Sequence, residues 1–111
     1  MQLPTKVRFC DEALHNAYES LKQGKSDEKE LYLNLDKAFH DIEKNGFCGI
    51  QIPKRLIPKG YLVKYRIHNL WKYNLPNAWR LLYSIESQHI CVVSIIIEWL
   101  THKRYERAFK Y

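Results

Sequence analysis

Hydrophobic side chains recur along this chain with two different periods, helical in the first half and strand-like in the second. Lys6–Cys10 alternates, with Val7 and Phe9 set between Lys6 and Arg8, and predicts a short strand. Leu14, Ala17, Tyr18 and Leu21 then fall at i, i+3, i+4 and i+7, one face of a helix that Asp11 is placed to cap and Gly24 to end. A second helix is predicted from Ser26 or Asp27 to Lys44-Asn45-Gly46, with the stripe Leu31, Leu35, Ala38, Phe39 and Ile42. Glu28 and Glu30 stand in its first turn, where the helix dipole favours negative charge. From Asn69 the period becomes two. Strands are predicted over Asn69–Leu75, Ala78–Glu86 and His89–Trp99, and a short terminal helix around Lys103–Lys110.

Parity specifies the hairpin. Trp71, Tyr73 and Leu75 share one face of their strand, and Trp79, Leu81, Tyr83 and Ile85 one face of the next. Both sets point to the same side of a sheet only if Leu75 pairs with Trp79, which leaves Pro76–Ala78 as a three-residue loop. Pro presets φ and Asn77 tolerates a left-handed conformation, so the turn chemistry agrees. The opposite face then gathers Lys72, Asn74 and Arg80. The fold class that follows is α+β: one domain over residues 1–111, two-layered, an N-terminal strand and helical hairpin packed on an antiparallel sheet in the order β-α-α-β-β-β.

Phe47 to His68 is the least regular stretch, punctuated by Pro53, Pro58 and Gly60. Two readings stand for it. One is a loop and short helix that shield the sheet edge. The other is a rim in which some of Lys54, Arg55, Lys59 and Lys64, interleaved with Ile, Leu and Tyr, contact RNA phosphates.

Charge narrows the classes. Eighteen Lys and Arg against twelve Asp and Glu leave a net +6, which favours a polyanionic partner: RNA, DNA or an acidic protein. Cys10, Cys48 and Cys91 are odd in number and lack any C-x-x-C spacing, so neither a disulfide framework nor a zinc site is expected, and a reducing cytoplasm fits. The N-terminus has no apolar leader core, and the apolar run Ile90–Leu100 is broken by Ser94 and Glu98 and is too short to span a bilayer. No glycine-rich phosphate loop occurs.

Leu70-Trp-Lys-Tyr-Asn-Leu75, then Trp79-Arg-Leu-Leu-Tyr83, an apolar strand, and Thr101-His-Lys-Arg-Tyr105 together resemble the RelE/ParE superfamily of type II toxins, and the element order is similar too. The tail is similar to its histidine-bearing ribonuclease branches, the HigB and YafQ types. The resemblance implies cleavage of messenger RNA, often in the ribosomal A site, with no metal or other cofactor, and neutralisation by a cognate antitoxin. It assigns Arg80 the role of transition-state arginine, Lys72 that of a basic neighbour, His102 that of general acid or base, and Tyr105 that of the aromatic residue that stacks on or orients the substrate. Asn74 stands where the RelE branch has a second Lys, a departure that shifts proton transfer towards His102.

The same side chains make chemical sense unaided. Attack by a 2′-hydroxyl needs a base for its proton, an acid for the leaving 5′-oxygen, and cations for the dianionic phosphorane. An imidazole serves in either proton role near neutrality, and a guanidinium is a planar, permanently charged fork for phosphate. Arg104 or Arg107 is positioned to add a second fork from the tail. Two other classes compete: a ParE-like protein that poisons DNA gyrase by binding, with no use for His102, and a non-catalytic partner of an antitoxin, which Asn74 favours. The antitoxin segment is expected to be acidic, matching the +6 charge.

Overall fold

The computed structural model describes residues 4–88 and 91–109, the side chains at 87, 88, 91–98, 100, 102, 103, 105 and 108 excepted. In chain order the elements are β1 (Thr5–Phe9), α1 (Glu12–Ser20), α2 (Ser26–Lys44), β2 (Ile50–Gln51), α3 (Lys59–Tyr65), β3 (Trp71–Asn74), β4 (Trp79–Gln88), β5 (Cys91–Thr101) and α4 (His102–Phe109). The five strands form one sheet in the order β1-β5-β4-β3-β2, with β1 parallel to β5 and every other pair antiparallel. The protein is α+β.

Local chemistry accounts for the helical hairpin. The Asp11 carboxylate accepts the Leu14 N–H at 2.7 Å, satisfying one of the free donors at the start of α1. A 3-10 turn over Leu21–Gln23 ends that helix, and Gly24 returns the backbone to an extended conformation, not a left-handed one. The second helix ends at Asn45, whose side chain accepts the Phe47 N–H and starts the next turn. Its stripe Leu31, Leu35, Ala38, Phe39 and Ile42 is buried against Leu75, Leu81 and Tyr83, with Val7, Phe9, Trp71, Tyr73, Trp79, Ile85 and Trp99 packed around them. The parity read from the sequence is the parity of the main core.

Two tyrosines carry polar contacts into that layer. Tyr73 donates to Asp41 of α2 at 2.5 Å. Tyr83, fully buried, donates to the Gly46 carbonyl at 2.8 Å and accepts the Gly49 N–H at 3.0 Å. A Cβ at Gly49 would stand 2.6 Å from both the Tyr83 hydroxyl and the Lys72 carbonyl, so only glycine lets β2 come this close to β3.

The sheet's outer face, turned away from α1 and α2, holds a second core. Leu70 and Leu82 are buried there with Ile52, Ile57, Ile67 and Phe109, and Cys10, Leu56, Tyr61, Leu62 and Tyr65 pack around them. The 47–68 segment thus forms a 3-10 turn over Lys54–Leu56 and the helix α3, and it covers part of the face itself as well as the edge. Phe109 meets Tyr61 edge-on at 5.8 Å, which docks α4 on this second layer. His89, Ile90 and Lys110, the sequence-predicted ends of the last strand and helix, lie outside the described residues.

Candidate functional site

The β3–β4 hairpin positions the site. Leu75 donates its N–H to the Trp79 carbonyl at 3.0 Å across a loop of Pro76, Asn77 and Ala78, with φ of 62° at Asn77 and 64° at Ala78. Asn77 also donates to Glu30 of α2 at 3.3 Å, which ties the loop to the helical layer. Below it the register pairs Asn74 with Arg80 and Lys72 with Leu82. Lys72 and Arg80 are therefore diagonal neighbours on the outer face, roughly 7–8 Å apart at Cα.

Burial separates these three side chains. Lys72 and Arg80 are half-buried and Asn74 is exposed. Arg80 donates from Nη1 to the Trp79 carbonyl at 3.0 Å, which holds the guanidinium close to the hairpin end. On the other side of β4, Thr101 pairs with Trp79 and Leu100 with Arg80, and α4 begins at the next residue, His102. The Thr101 hydroxyl accepts the Arg104 N–H at 3.3 Å, capping that helix. Since α4 ends with Phe109 against Leu82 and Leu70, it runs across the face that carries Lys72 and Arg80.

The sequence-predicted site residues fall into three groups. Lys72, Asn74 and Arg80 are brought together. The backbones of His102 and Tyr105 lie in the first turn of α4, beside the Arg80 row, while their side chains lie outside the described residues; Arg104 and Arg107 are exposed on the same helix. Lys54 and Arg55, on the 3-10 turn, and Lys59 and Lys64, on α3, are exposed on the segment that covers the other part of this face.

Some residues of this surface escape a motif-based reading. Ile50 pairs with Lys72 and is 52% exposed, an apolar side chain at the margin of a cationic site. Arg66 closes α3 in a left-handed conformation and is exposed. The signal that finds Arg66 is composition by segment: residues 1–44 hold nine carboxylates and seven Lys or Arg, whereas residues 45–85 hold seven Lys or Arg and no carboxylate. The helical hairpin is thus mildly acidic and the layer opposite it strongly basic.

Other clusters do less. Cys48 lies near Tyr83 and Asp41, but partial burial and the Asp41 charge push its thiol up, the wrong direction for a nucleophile. Further along β4, roughly 13 Å (Ser84) and roughly 20 Å (Glu86) from Arg80 at strand rise, the Ser84 hydroxyl and Glu86 Oε1 are buried without a hydrogen-bond partner among the described residues. Glu86 Oε2 stands 3.7 Å from His68 Nδ1. Ser84 is fully buried and so is not a nucleophile open to substrate. Among the described residues no group of three His, Cys, Asp or Glu is arranged to hold a metal ion, and no helix is long and apolar enough to cross a membrane. Comparison with protein families, curated proteins and solved structures finds no match to this chain.

Proposed function

We propose that this protein is a toxin of the RelE/ParE type, an endoribonuclease that cleaves messenger RNA and is held in check by an acidic antitoxin. The observation that carries the reading is the diagonal Lys72–Arg80 pair, half-buried on the outer face of the sheet, with α4 starting one residue past the partner of Trp79. The helical hairpin between an edge strand and a β3-β4-β5 meander is compatible with that family's order.

In the proposed reaction a base removes the 2′-hydroxyl proton, the 2′-oxygen attacks phosphorus, and the P–O5′ bond breaks as an acid protonates the leaving oxygen. The products are a 2′,3′-cyclic phosphate and a 5′-hydroxyl. Arg80 and Lys72 hold the dianionic phosphorane, where half-burial strengthens each charge-assisted hydrogen bond. His102 supplies a proton role, and Tyr105 orients the substrate. Residues 102 and 105 belong to the first turn of α4, which starts one residue past the strand partner of Trp79. Arg104 and Arg107 extend the phosphate contacts. Asn74, neutral opposite Arg80, favours the alternative of a non-catalytic antitoxin partner.

Induced expression separates these readings. Wild type should arrest growth and degrade messenger RNA, and Arg80→Ala should lose at least a hundredfold in cleavage rate, the scale of one transition-state donor, with little change in Tm. Arrest that survives His102→Ala points to gyrase binding. Absence of arrest in wild type points to the non-catalytic partner.

A further inference from the structure

We infer that the segment from Lys54 to Arg66 is a landing surface for the phosphate backbone of single-stranded RNA, alongside the Arg80 centre. The argument begins with how the segment folds. Its apolar residues Leu56, Ile57, Tyr61, Leu62 and Tyr65 are turned into the second core over Leu70 and Leu82. What remains outside is Lys54, Arg55, Lys59, Lys64 and Arg66, all exposed. Five cations within thirteen residues stand in a stretch, 45–85, that contains no carboxylate. Salt bridges between residues of that stretch are therefore ruled out by composition, and Lys64 stands 5.1 Å from the centroid of the Tyr65 ring. The carboxylates that bound the stretch in sequence are Glu43 and Glu86, and Glu86 Oε2 stands 3.7 Å from His68 Nδ1.

The kind of polyanion follows from what the surface lacks. An acidic amphipathic helix needs an apolar groove to seat its non-charged side, and an added strand would take the sheet edge at β2, outside this segment. Here the apolar side chains of the segment are spent on the core, and Val63, 78% exposed, stands alone among the lysines. A helix with point charges on its outward side suits a flexible chain of phosphates. The choice of RNA over DNA rests on the nuclease reading; the phosphate surface itself does not.

A labelled 2′-O-methyl oligouridylate, which lacks the attacking hydroxyl, tests this by fluorescence anisotropy across a salt series. Each neutralised phosphate contributes about 0.7 to the slope of log K against log salt for a single strand. Replacing Lys54, Arg55, Lys59, Lys64 and Arg66 by Gln should flatten the slope by about 3.5 and weaken binding by at least tenfold at roughly 0.1 M salt. The milder Lys59→Gln/Lys64→Gln pair should flatten it by about 1.4, and circular dichroism checks that both variants are folded. An unchanged slope in either folded variant overturns the inference, as does polyglutamate binding more tightly than the oligonucleotide and being the one ligand these substitutions release. The two readings fail separately. Cleavage that depends on Arg80 with an unchanged slope sinks this surface alone, and a flattened slope without cleavage by wild type sinks the nuclease alone.

Discussion

At the scale of single residues, the hairpin loop holds the clearest strain. Asn77 and Ala78 are both left-handed, a conformation that asparagine tolerates and alanine resists because its Cβ crowds the following carbonyl. That cost, about 1–2 kcal/mol, is partly offset in Ala78→Gly by the greater entropy of the unfolded chain, about 0.5–1 kcal/mol. The substitution should therefore stabilise the protein by about 0.5–1 kcal/mol and raise Tm by roughly 3–6 °C, measured by thermal melting. A lower Tm would show that the loop is not held in this conformation. Asn69 serves the same hairpin in the opposite way. Its amide donates to the Ile85 carbonyl at 2.7 Å and its side-chain carbonyl accepts the Ile85 N–H at 2.8 Å, replacing a ladder rung just before β3 begins. A motif search passes over both residues, since neither carries chemistry, yet both help set the register that makes Lys72 and Arg80 neighbours.

At the scale of elements, α4 is tied to the sheet at its two ends. Thr101 caps its start and Phe109, 5% exposed, buries its last turn against Tyr61, Leu70 and Leu82. Phe109→Ala should cost about 3 kcal/mol and free the tail, seen as faster proteolysis C-terminal to Thr101 and a lower denaturation midpoint. If the nuclease reading holds, cleavage falls with it while Lys72 and Arg80 stay in place, because the helix that carries residues 102 and 105 has lost its anchor. Phe109 is the one Phe, Leu, Ile or Val between Thr101 and Lys110, so a docking point for the tail is legible in the sequence, though not the surface it meets. The helix α3 is less so, because Pro53, Pro58 and Gly60 interrupt any period and its apolar residues gain a partner only when the outer face of the sheet is assembled.

At the scale of the whole molecule, charge and buried phenols divide by face. Tyr18, Tyr73 and Tyr83 lie in the layer between the sheet and the helical hairpin, and burial raises all three above the ordinary tyrosine range, with Asp41 adding to Tyr73. The neutral phenol is thus favoured in the folded state. Their contribution is complete below pH about 10, where the unfolded chain also keeps its phenols neutral, and it is lost as pH rises through that value towards the higher folded ones. Tm should hold up to pH about 10 and then fall, and Tyr73→Phe should flatten the fall. Phenolate absorbance equivalent to all eight tyrosines appearing at the ordinary value before any loss of folded signal would contradict it. On the basic outer layer the cations are Lys and Arg, so phosphate binding there is expected to follow salt more than pH.

Alternation and helical spacing are consequences of backbone geometry, so the chain alone determined the helical hairpin, the β3–β4 loop, and which face of each strand meets the helices. Periodicity says which side chains share a face, but not what else arrives on that face. Only the tertiary structure decided that the proline-rich segment folds back over the outer face, that α4 crosses it, and that the cations of residues 45–85 lie opposite a mildly acidic hairpin. Those are contacts between residues far apart in the chain, set by which apolar surfaces remain uncovered once the sheet has formed.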